Sequence, residues 1–438
     1  MVKTGGRGKP IFIGGAGVAL LMLWTFSPFP SLPTTLSVRR MAISPEQDGA
    51  AAMPDCAGED GHGVNMGHDP ADHTFYDDPD LTYTVGSPVK NWDEKRKEWL
   101  KHHPSFAAGA ENRLFMLTAT QPWPCKNPIG DHLNLRLFKN KVDYCRIHGY
   151  DIFYNNALLH PKMKSYWAKI PVVRATMVAH PEAEWIFWID SDAMITDMDF
   201  KPPFEKYKDH NLVVDGWPNL IYEKKSWVGL NAGVFFLRNC QWSMNFLEAW
   251  AEMGPQTPNY ENWAKIQMET LSDKTYPVSD DQSGLIYLLL KEKEKWGDKI
   301  YIENQYTLSG YWGGIVNSFD KIIDNYARIE KKVVELRRRH AEKVSEHYAE
   351  VMAEAFRKEG GGDRARMRPF ITHFTGCQPC SGEHPGYSDD ACWIGMEKAL
   401  NFADNQVLRN YGFVRPNLQN SSSLCPLPYG FSSYKKEK

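Results

Sequence analysis

The segment WIFWIDSDAMITD, residues 185–197, decides how the rest of the chain is read. Trp185 to Ile189 is a five-residue apolar run of aromatic and β-branched types, too short for a buried helix, so it reads as a strand covered on both faces. The run stops at Asp190, Ser191 and Asp192, and apolar residues resume at Ala193. Two carboxylates in a tight turn between stretches of core sequence are costly unless something binds them. Their hard oxygen ligands suit Mg2+ or Mn2+, a cation that would neutralise a diphosphate as a nucleotide leaves. A merely solvated acidic turn would leave the apolar flanks unexplained.

Upstream, LFMLTAT at 114–120 reads as a strand, and a helix is expected from about 131 to 148, ended by Gly149. DIFYN at 151–155 is a second strand, and a helix over about 166–179 leads into WIFWID. This βαβαβ alternation favours a parallel sheet with helices on both faces, which binds ligands beyond the carboxyl ends of its strands. Asp190 and Asp192 lie at such an end. Downstream, strands are expected at 212–214 and 233–237, and helices at about 242–253 and 283–293. Residues 320–359 carry a long charged helical pattern that includes Arg337, Arg338, Arg339 and His340 and is broken by Gly360 to Gly362. It reads as a solvated surface helix or hairpin, with a grip on an acceptor as the more specific alternative.

Two other places carry candidate chemistry. His373 follows the apolar run PFIT, and neutral imidazole would complete a Mn2+ site. The turn after it, Phe374 to Cys377, offers backbone N–H groups to phosphate. In SDDQS at 279–283, Asp280 is suited to capping a helix, while Asp281 or Gln282 is left to face a transferring sugar.

The formal net charge of −3 is spread without a single-sign block, which excludes a footprint for nucleic acid. Residues 11–26 are uncharged and follow Lys3, Arg7 and Lys9, the pattern of a type II signal anchor with the remainder of the chain lumenal. The expected organisation is a cytoplasmic tail at 1–10, an anchor at 11–29, a flexible stem at 30–110, a catalytic domain at 111–415 with a charged insertion at 320–366, and a tail at 416–438. The run is short for a bilayer, which fits a Golgi membrane. Lumenal placement implies that some of the 8 cysteines are oxidised and makes Asn420 a candidate glycosylation site.

Six separated blocks then resemble glycosyltransferase family 34. They are GDHLNLRLFKNKVDYCRIHGYDIFY, SYWAKIPVVRATMVAHPEAEWIFWIDSDAMITDM, LNAGVFFLRNCQWSM, SDDQSGLIYLLL, HFTGCQPCSG and ALNFADNQVLRNYGF. Within the family the likeness is to galactomannan galactosyltransferases, which share the GCQPCSG block and the charged LRRRHAEKVSE segment from Leu336. The xyloglucan xylosyltransferase branch has Thr in place of Ala232 and Lys in place of Gln378.

The resemblance implies an α/β GT-A fold, a Rossmann-like mixed sheet with helices on both faces, behind the membrane anchor. It implies Mn2+, with Mg2+ as the alternative, held by Asp190, Asp192 and His373. Nucleotide-sugar contacts are implied for Thr118, Thr120, Asn140, Tyr144, Lys169, Ser191, Asn231, Gly376 and Gln378, in addition to the two metal-binding aspartates. Asp281, Gln282 and Asp280 are the implied catalytic set. The implied reaction is retaining transfer of galactose from UDP-galactose to O6 of mannosyl residues in β-1,4-mannan or glucomannan. The implied partners are that acceptor, the Golgi membrane, and a homodimer or a complex with a mannan synthase. The alternatives are a xyloglucan α-1,6-xylosyltransferase using UDP-xylose and a catalytically silent Golgi scaffold.

Overall fold

A computed structural model describes residues 78–79, 81–110, 113–333, 336, 345–359, 367–381, 387–420 and 422–427. The tail and anchor expected at 1–29, together with Arg337 to His340, lie outside the described residues. Among the described residues no helix is long and apolar enough to cross a membrane.

The chain enters through α1 (Trp92–His102), followed by β1 (Leu114–Ala119), α2 (Pro128–His148), β2 (Asp151–Asn155), α3 (Lys169–Ala179), β3 (Trp185–Ile189) and the short β4 (Ala193–Ile195). Next come β5 (Leu212–Gly216), β6 (Leu230–Arg238), α4 (Gln241–Ala251), α5 (Tyr260–Thr270), α6 (Asp281–Lys291), β7 (Ile300–Glu303) and β8 (Gly310–Tyr311). The C-terminal part contains α7 (Phe319–Lys332), α8 (Ser345–Lys358), β9 (Ile371–His373), α9 (Asp389–Leu408), β10 (Phe413–Val414) and β11 (Cys425–Pro426).

The boundaries follow local chemistry. Asn127 caps α2 by accepting from the Ile129 N–H at 3.2 Å, with Pro128 at the first helical position. Gly149, at φ 73°, ends it in the left-handed conformation.

Six strands form one sheet in the order β2-β1-β3-β6-β5-β7. The β2-β1-β3 half is parallel, as the βαβαβ reading predicts, but β6 runs antiparallel to both β3 and β5, so the sheet is mixed. Alternation along β3 sends Ile186 and Trp188 to one core and Trp185, Phe187 and Ile189 to the other. Both faces are covered, which is why the strand is apolar throughout. Each fully buried side chain of this size contributes roughly 1.5–3 kcal/mol.

One boundary read from sequence is corrected. The stem expected to run to residue 110 already contains α1, where Trp92 is buried and donates from Nε1 to Asn239 Oδ1 at 2.7 Å. Arg96 of α1 also pairs with Glu184 at 3.0 Å. One buried indole and one guanidinium dock a helix whose other residues, apart from Trp99 and Leu100, are polar, a signal that composition hides. The charged pattern at 320–359, read as a solvated surface helix or hairpin, is two amphipathic helices, α7 and α8, each with one buried face. Ile322, Tyr326 and Ile329 of α7 and Tyr348, Met352 and Phe356 of α8 share a core with α9. Their spacing of three or four residues puts one apolar face on each helix despite the high charge.

Cys377, Cys380 and Cys392 lie close together in sequence around a CxxC spacing, yet Cys377 and Cys380 are not bonded to each other. Cys377 pairs with Cys392, and Cys380 with Cys125, in the loop after β1. Cys145, Cys240 and Cys425 are free among the described residues.

Candidate active site

A second, three-stranded sheet, β4-β9-β8, builds the site by bringing distant residues onto the Asp190 turn. Ala193 of β4 pairs with His373 of β9, and the Phe374 N–H donates to the Asp192 carbonyl at 3.0 Å. An imidazole 181 residues away thus reaches Asp192 Oδ1 with its Nε2 at 3.2 Å. One ligand atom from each of Asp190, Asp192 and His373 lies within 4.8 Å of the others. Bonds of roughly 2.0 to 2.6 Å to a single cation span that spacing. Gly233 makes the approach possible: a Cβ there would collide with the His373 ring and come within 2.6 Å of Asp190 Oδ2. The donor set of two carboxylates and one imidazole fits Mn2+ or Mg2+.

Beside this cluster lies a buried lysine. Lys169 Nζ donates to the Ala232 carbonyl at 2.8 Å and stands 3.4 Å from Asp190 Oδ1. It also forms an ion pair with Asp281 Oδ2 at 2.6 Å, close in distance but outside hydrogen-bond alignment. Burial works to lower the Lys169 pKa, but Asp190 and Asp281 outweigh it and hold the pKa above its ordinary value, so the residue is a fixed cation. Burial pushes Asp281 up to about 6, against the pull of Lys169. At His373, too, burial acts downward and is overcome by the Asp192 and Asp190 carboxylates, which raise its pKa.

On the other side of the ring, His373 Nδ1 is 3.1 Å from Ser309 Oγ and 3.2 Å from Asn231 Oδ1. Asn231 Oδ1 also accepts from the Gly233 N–H at 2.9 Å and from Ser309 Oγ at 2.8 Å. Gln282 is held at both ends of its amide: Oε1 accepts from the Ala232 N–H at 3.2 Å, and Nε2 donates to the Trp227 carbonyl at 2.8 Å. Asp190, Asp192, His373, Lys169, Asn231, Asp281 and Gln282 therefore form one continuous network. Thr118, near the end of β1, has a buried hydroxyl with no hydrogen-bond partner among the described residues, and the Thr120 hydroxyl is 2.6 Å from that of Tyr154. Gly376, at φ 85°, and Gln378, which accepts from Ser381 Oγ at 3.1 Å, lie in the turn pinned by the two disulfides.

Three residues assigned to the site from sequence have structural positions instead. Asn140 is buried in α2, where its amide donates to the Ile195 carbonyl and accepts from the Ile195 N–H, both at 2.8 Å, bracing β4. Tyr144, one turn on, is buried with its hydroxyl on the Phe200 carbonyl at 2.8 Å. Asp280 caps α6. Its Oδ1 accepts from the Ser283 N–H at 2.8 Å and from Trp227 Nε1 at 3.2 Å, and its Oδ2 binds Lys274, Tyr276 at 2.8 Å and the Ser283 hydroxyl at 2.6 Å. No lone pair is left on it for a substrate.

Sequence reading missed Lys141 and Gly233. Lys141, fully buried in α2, donates to the Ala193 carbonyl at 2.7 Å and the Ser191 carbonyl at 3.3 Å, so it clamps the acidic turn from beneath. Burial drives its pKa down to about 7 against the pull of Asp192 and Asp190. A lysine in the middle of a helix carries no sequence signal of this. Gly233 does, because a glycine inside an apolar strand marks a close approach.

A sequence profile described as the galactosyl transferase GMA12/MNN10 family matches residues 110–384. A protein described as putative glycosyltransferase 7 of Arabidopsis thaliana is 55% identical over 423 residues, covering 96% of this chain and 91% of the relative. Galactomannan galactosyltransferase 1 of Cyamopsis tetragonoloba is 53% identical over 449 residues, covering 98% of this chain and 99% of the relative. A probable xyloglucan 6-xylosyltransferase 3 of Arabidopsis thaliana is 45% identical over 356 residues, covering 80% and 70% respectively.

Proposed function

The chain belongs to the galactosyl transferase GMA12/MNN10 family of glycosyltransferases, and on that premise we propose that it is a retaining, metal-dependent α-1,6-galactosyltransferase of GT-A fold. Its donor is UDP-galactose, and its acceptor is O6 of mannosyl residues in β-1,4-mannan or glucomannan. The observation that carries this reading is end-to-end similarity to a galactomannan galactosyltransferase, at 53% identity over 98% of the chain. The xylosyltransferase relative matches less of itself and at lower identity. The scaffold alternative would leave Asp190, Asp192, His373, Lys169 and Asp281 converged for no purpose.

Asp190, Asp192 and His373 would hold Mn2+, which supplies charge neutralisation to the departing diphosphate. Lys169 keeps Asp281 ionised beside that site and spaces it from Asp190, since two neighbouring carboxylates without a cation would resist ionisation together. The backbone grips on the Gln282 amide keep that side chain rigid at the start of α6, where a fixed dipole stabilises developing charge without reorganising. Thr118, whose hydroxyl has no partner among the described residues, offers it to the donor at the carboxyl end of β1.

The site faces the Golgi lumen in this reading, behind a type II anchor at 11–29. The two disulfides, at home in an oxidising compartment, support that placement. Protease protection of the chain in sealed vesicles tests it, and digestion of the catalytic part without detergent would overturn it.

A donor screen tests the function. The purified full chain is given UDP-galactose or UDP-xylose with Mn2+ and either mannohexaose or cellohexaose, and products are read by mass spectrometry and NMR. Galactose α-linked to O6 of mannose is expected, whereas xylose on the glucan would move the chain to the xylosyltransferase branch.

A further inference from the structure

We infer that Asn231, aided by Ser309, is a positioning residue that fixes the proton of His373 on Nδ1 and thereby makes Nε2 the metal-binding atom. This rests on the reading of Asp190, Asp192 and His373 as the cation site.

The orientation of the Asn231 amide is settled by a donor that cannot be reversed. The Gly233 backbone N–H points at the Asn231 side chain at 2.9 Å, so the atom it meets is the carbonyl oxygen. That same oxygen stands 3.2 Å from His373 Nδ1. A carbonyl oxygen only accepts, so a bare Nδ1 would set lone pair against lone pair in a buried site. The contact is favourable only when Nδ1 carries hydrogen. Ser309 fits the same assignment: its hydroxyl donates to Asn231 Oδ1 at 2.8 Å and keeps a lone pair for Nδ1 at 3.1 Å. Ser309 is itself placed by its backbone N–H, which donates to Asp215 Oδ1 at 3.2 Å.

The consequence appears at the other ring nitrogen. With hydrogen fixed on Nδ1, a neutral His373 presents the Nε2 lone pair, and Nε2 is the atom 3.2 Å from Asp192 Oδ1. The opposite tautomer would turn an N–H into the cation site. Ligating histidines are commonly oriented by such an outer partner, and its loss costs about 10- to 100-fold in metal affinity. Here β6 supplies the partner for a ligand on β9, and the missing Cβ of Gly233 admits the ring between them.

The test is Mn2+ binding by the full chain, followed by the electron paramagnetic resonance of free Mn2+, alongside KM for UDP-galactose at saturating Mn2+. Asn231→Leu, which removes the acceptor, should weaken Mn2+ by about 10- to 100-fold. Asn231→Asp, which keeps an acceptor toward Nδ1, should stay within a few-fold of the native chain. Ser309→Ala leaves the Asn231 carbonyl in place and should cause a smaller loss, and it carries the test if the Leu variant does not fold. Native Mn2+ affinity in both Asn231→Leu and Ser309→Ala, with a raised KM for the donor that excess Mn2+ does not correct, would overturn the inference and make Asn231 a donor contact. Failure of the unaltered chain to bind Mn2+ would instead remove the cation site on which the inference rests.

Discussion

Asp280 and Asp281 are adjacent, both buried and both paired with a buried lysine, yet they belong to different parts of the molecule. Asp280 spends its oxygens on Lys274, Tyr276, the Trp227 indole and two donors of Ser283, so it is saturated by the protein. Asp281 meets Lys169, which also touches Asp190, and so is joined to a cluster whose carboxylates keep open positions. Acidity and burial alone do not distinguish a scaffold from a site. What distinguishes them is whether the protein itself occupies the lone pairs.

The largest effect that would sharpen this contrast comes from a residue with no side chain. Gly233→Ala should lower transfer by about three orders of magnitude, since several kcal/mol of charge stabilisation is lost when the His373 ring and Asp190 can no longer converge. Circular dichroism should remain native, because the strand backbone tolerates alanine. Near-native activity would break the account of the cluster.

Asp280→Ala should act on stability instead. It strands Lys274, whose pKa burial already lowers against the pull of Asp280, and should cost about 3–5 kcal/mol in denaturant unfolding. The variant that remains folded should keep most of its kcat. Asp281→Asn should do the reverse, lowering kcat by about 100-fold with a modest change in stability. If the two variants exchanged these outcomes, the contrast would be inverted.

The smallest effect concerns Asp215, at the end of β5, which burial raises from 3.8 to about 7 despite the Ser309 and Leu308 N–H groups that favour its charge. A raised folded pKa means that the fold binds the proton more tightly than the unfolded chain does. The stability it contributes is present below about 4 and is lost as pH rises toward 7. Asp215→Asn carries no such penalty, so its melting temperature should gain on the native protein between pH 4 and 7 and level off above. A constant difference across that range would show that Asp215 is not held in this way.

Much of the framework was legible. The run from Trp185 to Ile189 is apolar at every position because both sheet faces are covered, and the turn at Asp190 follows as a consequence. His373 was readable as a ligand candidate because it ends a short apolar run. The antiparallel placement of β6 was not legible, because direction in a sheet depends on long-range pairing that leaves no local mark. Asn140 and Tyr144 illustrate the same limit from the other side. The resemblance implied a nucleotide-sugar contact for each, but the polar groups of both are spent on the carbonyls and amides of the segment after the acidic turn. Lys141 serves that segment too, and nothing near it in the chain says so.

The most direct test of the central claim is a Mn2+ titration of the full chain in the presence of UDP, repeated with Asp192→Ala and Asp280→Asn. Saturable binding by the unaltered chain and by Asp280→Asn, with binding lost in Asp192→Ala while its melting temperature holds, is the predicted result. Equal Mn2+ affinity in all three would contradict the account, because the open carboxylates would then be no more a cation site than the saturated one.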